Sequence, residues 1–287
     1  MNRPGTRTVG FTLVELLVGM ALMGIILLAL TNFFSQSGRI SAQSSTRAEL
    51  QQEVLNAQQL IAGKLKEAWY VYPPGATLSL TGTNLTQNPV TGTNAWNITT
   101  TAASNHPMLA MILPPRNPSV ACVSPTTAVP DPDGCYRFLA YYPVKRGVWI
   151  AGIGADSWRN PGPDPANADA WILAEYRRVM PSTFAPTTFP PATLPAVPTS
   201  AVANILADYV APTVTTTGFT TATNTYTMFT YAAADGNPPS VTNPVSSVTI
   251  NLAVARQSRG TLLRLPDAAD EYGTTVFPAN LGRVTAN

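Results

Sequence analysis

Residues 11–34 read FTLVELLVGMALMGIILLALTNFF, and this stretch decides the architecture. Glu15 is its only charged residue, and residues 16–30 carry no charge at all. A helix over these 24 residues is about 36 Å long, enough to cross a hydrocarbon core of about 30 Å. The core helix of a soluble domain would present a polar face, and this run has none before Thr31 and Asn32. Ahead of it, Arg3 and Arg7 are the only charges in residues 1–10. Such a basic flank holds the N-terminus in the cytoplasm and sends the chain beyond the span across the membrane. An ordinary secretory signal starts the same way, but its apolar core is shorter, about 7–15 residues. Its cleavage site would fall near Ser35-Gln36-Ser37, a poor match to the small-residue rule. A plain signal anchor is the other simple alternative.

Glu15 fits neither alternative well, because a lone carboxylate in a membrane costs about 2.5–3.5 kcal/mol on insertion scales. The string around it, Gly10-Phe11-Thr12-Leu13-Val14-Glu15, resembles the processing motif of type IV prepilins and of type II secretion pseudopilins. The resemblance implies that a prepilin peptidase cuts after Gly10 and that the new N-terminus, Phe11, is N-methylated. Glu15 then occupies the family's acidic position and neutralises the Phe11 amine of a neighbouring subunit during assembly. Both charges would sit in low dielectric, where leaving either unpaired is expensive. Loss of Arg3 and Arg7 with residues 1–10 reduces the 17 basic residues to 15, equal to the 15 acidic ones.

Outward from the apolar run, no proline occurs between Pro4 and Pro73. Ile40, Leu50, Val54, Leu55, Leu60, Ile61 and Leu65 fall mostly at spacings of three, four or seven and, with Ala48, Ala57 and Ala68, make one apolar stripe, which predicts an amphipathic helix. RAELQQEVLNAQQLIAGKLKEA (47–68) is rich in helix formers. One near-continuous helix over 11–68 is therefore expected, its first half in the membrane and its second half packed on a domain outside it. The stretch through Trp69 also resembles the post-span region of PilW-type minor pilins and J-type pseudopilins. Looser matches to that group recur in YRFLAYYPV (136–144), AWILAEYRRV (170–179) and the C-terminal SVTINLAVARQSRG. The implied organisation is leader 1–10, membrane and filament-core helix 11–34, amphipathic continuation 35–70, and exported β-rich domain 71–287. The implied fold is α+β and pilin-like, a long N-terminal helix packed on an antiparallel sheet. The implied setting is the inner membrane, with the C-terminal domain in the periplasm and the subunit later built into a pilus or pseudopilus. Its partners would be other pilins or pseudopilins and the prepilin peptidase. A J-like subunit of a type II secretion system and a pilus-borne DNA or adhesion receptor are the alternatives.

Beyond Tyr72 the composition turns to Thr, Asn, Gly and Pro with short apolar runs. Candidate strands are 108–113, 136–142, 148–152, 171–177, 226–232, 245–255 and 274–277, with 262–265 as a short addition. The best alternation places Val248, Ile250, Leu252 and Val254 on one face. PSTFAPTTFPPATLPAVP (181–198) favours extended polyproline conformations and excludes regular helix or central strand. Residues 78–105 read as a long loop or a wide hairpin.

Charged residues make up 11% of the 287, less than half the usual share of about 25%. That excludes a highly charged disordered chain, and a net charge of +2 gives no field to steer partners. Cys122 and Cys135 are the only cysteines. In an exported domain an even count points to one disulfide, closing the loop VSPTTAVPDPDG; two free buried thiols are the alternative. Asp131-Pro132-Asp133-Gly134 is first a turn signal, although its carboxylates are also candidates for Ca²⁺. No cofactor is implied and no metal site is expected. His106 is the only histidine, and neither it nor Asp267, Asp270 and Glu271 forms a catalytic pattern, so no enzyme is expected. Gly152-Ile153-Gly154 lacks the lysine of a phosphate loop and reads as a turn. Lys145-Arg146, Arg177-Arg178 and Arg256 with Arg259 and Arg264 could touch phosphates. Tyr141, Tyr142, Trp149 and Trp158 could stack bases. The plainer reading makes these strand-edge charges and core aromatics.

Overall fold

The computed structural model describes residues 12–81, 84–89, 91–98, 108–126, 129, 131–154, 157–198, 202–211, 227–258, 260–266 and 271–283. The chain forms two compact units, Met1–Ala48 and Glu49–Asn287. One helix, α1 (Leu13–Glu67, 55 residues), begins in the first and ends in the second.

In the first unit every residue from Leu13 to Phe34 is exposed, including Leu28 at 68% and Phe34 at 68%. The segment is long and apolar enough to cross a membrane. Ile40, counted in the apolar stripe, is also exposed.

In the second unit the stripe is realised from Leu50 onward. Leu50, Val54, Ala57, Ile61 and Leu65 are buried, spaced so that one face of α1 enters the core. Each such burial of a large side chain contributes about 1.5–3 kcal/mol. Leu60 falls off that face and is exposed.

After α1 the chain runs through β1 (Tyr70–Val71), β2 (Thr77–Ser79), β3 (Ala95–Asn97), β4 (Leu109–Leu113) and β5 (Arg137–Lys145). Helix α2 (Arg146–Ile153) follows, then β6 (Trp171–Val179), β7 (Val202–Val210) and β8 (Phe229–Ala233). The last strands are β9 (Val245–Leu252), β10 (Val254–Ser258), β11 (Thr261–Leu265) and β12 (Tyr272–Val276). Among the described residues these make an antiparallel seven-stranded sheet in the order β1-β4-β5-β6-β7-β10-β11. A three-stranded sheet β12-β9-β8 and the hairpin β2-β3 complete the set. The architecture is α+β, as expected. Gln58 of α1 ties the helix to the smaller sheet: its Nε2 donates to the carbonyls of Ile250 at 3.0 Å and Tyr272 at 2.7 Å. The C-terminal segment satisfies the open end of α1 and the residues after it, with Ala279 N donating to Lys66 O and Gly282 N to Trp69 O.

Three expectations are corrected. Residues 148–152 are helical, not a strand, because only a helical turn brings Arg146 and Trp149 inward together, both at most 1% exposed. Gly154 ends that helix at φ +81°, a conformation glycine adopts without strain. Residues 245–255 are two strands, not one, since the chain passes at Ala253 from the smaller sheet to the larger. Strand β7 is absent from the expected set.

Candidate functional site

Two groups of polar side chains stand apart from ordinary surface chemistry. The first is at the start of α1. Thr12 and Glu15 form a reciprocal cap: Thr12 N and Thr12 Oγ1 both donate to Glu15 Oε2 at 3.0 Å. Glu15 N donates to Thr12 Oγ1 at 3.3 Å. This is the Thr-x-x-Glu capping box, which satisfies helix donors that have no partner within the helix. Every partner of the Glu15 carboxylate is thus within three residues, and among the described residues no cationic side chain reaches it. A shallow groove runs down the helix from Glu15 past Gly19, Met20, Met23 and Gly24. Gly10 and Phe11 lie outside the described residues.

The second group is buried in the β-rich unit. Arg146 Nε donates to both oxygens of Asp208, at 3.2 and 2.9 Å, and its Nη2 donates to the carbonyls of Pro161 and Gly162. The two side chains are 2% and 12% exposed. Glu53 of α1 reaches the same point, its Oε1 accepting from Asp208 N at 2.6 Å. Tyr209 follows with φ +55°, a left-handed conformation unusual for a non-glycine residue. It sits where β7 carries an extra residue against β6, between Leu173↔Ala207 and Trp171↔Val210. The surroundings hold that conformation. Arg146 and Arg256 lie 5.4 and 4.6 Å from the Tyr209 ring centre, and Tyr209 Oη donates to Asp164 Oδ2 at 2.9 Å. Burial raises the carboxyls of Glu53 and Asp208 above their ordinary range, more than their hydrogen bonds and the nearby arginines lower them. The cluster holds no nucleophile with an adjacent base. It joins α1, α2, β7 and the 157–164 loop.

The remaining predicted residues separate. Cys122 and Cys135 are joined in a disulfide, with Cα atoms 4.5 Å apart. Arg116 takes up both loop carboxylates, Asp131 at 2.8 Å and Asp133 at 3.4 Å, so the calcium alternative has its acidic pair engaged by a cation. Gly134 is required there, since a Cβ would run into the carbonyl oxygens of Val120 and Ala121. Of the aromatics that could stack bases, Tyr141, Tyr142 and Trp149 are fully buried and only Trp158 is exposed, at 84%. Of the basic residues, Arg146 and Arg264 are buried, and Arg256 pairs with Asp164 at 3.5 Å. Tyr141, Tyr142 and Trp149 are therefore core aromatics, and Arg146 and Arg256 are engaged by Asp208 and Asp164, whereas Arg177 is exposed and Lys145 and Arg178 are half-buried. His106, Arg259, Asp267 and Asp270 lie outside the described residues.

The sequence reading misses Glu53, Asp208 and Tyr209. Glu53 borders the apolar stripe of α1, and Asp208 interrupts the apolar run ILADYV, a weak signal that names no partner. Comparison with protein-family models, with curated proteins and with solved structures finds no match to this chain.

Proposed function

We propose that the chain is a minor pilin or pseudopilin, a structural and assembly subunit of a type IV pilus or related filament. It is made as a single-pass inner-membrane precursor with its β-rich domain in the periplasm. The prepilin peptidase cuts it after Gly10 and methylates Phe11. The observation that carries this reading is the first part of α1, apolar around its whole circumference and exposed from Leu13 to Phe34, with one carboxylate in its first turn. So large an apolar surface needs lipid or neighbouring helices to cover it. Glu15, capped only by Thr12, needs a cation from another chain once it leaves water. The Phe11 amine of a neighbouring subunit supplies it.

N-terminal mass spectrometry of the protein from native envelopes tests the processing. A chain starting at N-methylated Phe11 is expected, and an intact Met1 or a start near Gly38 would end the filament reading. Glu15→Ala should leave the disulfide-containing domain folded while the subunit fails to enter filaments. Normal incorporation of that variant would remove the charge pairing.

A further inference from the structure

Arg137 is a buried cation that the chain itself leaves without a counter-ion. It opens strand β5 and is 8% exposed. Among the described residues its guanidinium makes one hydrogen bond, from Nη2 to the carbonyl of Pro114 at 3.3 Å. Nε is buried with no partner, and no carboxylate of the described residues lies within ion-pair distance. A guanidinium has several N–H donors, so most of this one's capacity is unused. Burial holds it below its ordinary range and Arg116 adds to that, while Asp131 and Glu67 act in the opposite sense. Arg146, also buried, differs in having Asp208 against it.

The acidic groups nearby are already engaged. Asp131 is held by Arg116 at 2.8 Å, and Glu67 pairs with Lys64 at 3.4 Å. Glu175 accepts from the Tyr141 hydroxyl at 3.2 Å. A second cation stands next to Arg137. Strand pairing sets Arg137 opposite Val179 and Leu139 opposite Arg177. Arg137 and Arg177 are therefore diagonal neighbours on one face of the sheet, with main chains about 7–8 Å apart. Arg177 is exposed and forms no ion pair among the described residues. A buried charge without a counter-ion is expensive. A carboxylate that accepts two parallel N–H bonds from a guanidinium removes that cost.

We propose that Arg137 and Arg177 form a binding site for a carboxylate that the chain does not supply. The ligand carries one negative charge rather than two, because Asp131 and Glu67 act on the same point and repel a second. Its source is a free small acid or an acidic side chain of another protein, which offer the same group. The inference is independent of the filament reading.

The test is thermal unfolding of the full chain in detergent micelles at fixed ionic strength. Sodium chloride is replaced stepwise by sodium acetate or by the sodium salt of N-acetylglutamate α-amide. The Tm of the unmodified chain should rise more than that of Arg137→Met, by about 3–6 °C at ten times the probe's Kd. A larger difference with the glutamate derivative assigns the site to an acidic side chain, and an equal or larger one with acetate assigns it to a small free acid. In chloride alone R137M should unfold at the same temperature or higher, because it removes a buried charge at similar volume. R177M should weaken the carboxylate effect and leave the chloride value in place. An equal rise in the unmodified and R137M chains overturns the inference. So does an R137M chain that unfolds well below the unmodified one or fails to fold, since the isolated chain then needs the charge for its own structure.

Discussion

Replacing Arg146 by alanine tests the central claim about the β-rich unit, that its polar cluster holds the helix, α2 and β7 in one arrangement. The guanidinium is 2% exposed and meets Asp208 through two contacts at 3.2 and 2.9 Å. Truncating one partner of such a pair costs about 3–5 kcal/mol, because the other charge stays buried and uncompensated. Two features place this case at the low end. The carbonyls of Pro161 and Gly162, freed by the change, are half-buried and can be rehydrated. Asp208 is already raised by burial, so the stranded carboxyl can take up a proton. The expected loss is about 3 kcal/mol at pH 7 and shrinks as pH falls and the stranded carboxyl takes up a proton. In a unit of this size that lowers Tm by about 6–12 °C. The assay is thermal unfolding of the full chain in detergent, followed by near-UV circular dichroism with the disulfide intact. The variant R146M/D208N, which removes both charges and keeps most of the volume, should recover most of the loss. A shift below about 2 °C for R146A, or no recovery in the double variant, would refute the idea that this pair is a buried electrostatic clamp.

Three further outcomes rest on named contacts. Glu53 is raised above its ordinary 4.5, so the folded chain holds its proton more tightly than the unfolded one, and stability falls as pH rises from 4.5 through the raised value. Glu53→Gln, which keeps an acceptor for Asp208 N, should leave neutral-pH stability unchanged or higher and flatten that slope; a marked loss at pH 7 would show that the charge itself is needed. Replacing Cys122 and Cys135 by serine opens a loop with a sequence separation of 13 and should cost about 3 kcal/mol, read as a lower denaturant midpoint. Gly134→Ala should destabilise by about 1–3 kcal/mol because the added methyl meets backbone oxygens that cannot move freely. Tolerance of alanine there would place the loop differently.

The sequence reading and the structure agree most closely where the signal is local. Hydropathy and the absence of proline predict a helix over 11–68, and α1 is Leu13–Glu67. Short apolar runs locate β4, β5, β6, β10 and β11 of the larger sheet but not β1 or β7. Segment 148–152 goes the other way: its Val, Trp and Ile suit a strand, but burying Arg146 and Trp149 together requires a helical turn. Strand β7 escapes the sequence reading because its one useful clue, an aspartate among apolar residues, reads as a defect until Arg146 is seen beside it.

By itself the sequence determined the apolar helix and its single carboxylate, and the only two cysteines pointed to one disulfide, which the structure forms. These come from one-dimensional quantities: length against bilayer thickness, spacing against helical period, and an even cysteine count. Only the tertiary structure decided that Arg146 is an internal clamp rather than a surface charge. The same holds for the aromatics at 141, 142 and 149, which are core rather than binding platform, and for the proline-rich segment, which fills an aromatic groove. The physical reason is common to all three. Whether a polar or aromatic side chain is buried depends on partners tens of residues away, 62 between Arg146 and Asp208 and 123 between Tyr72 and Pro195. No local pattern encodes those partners.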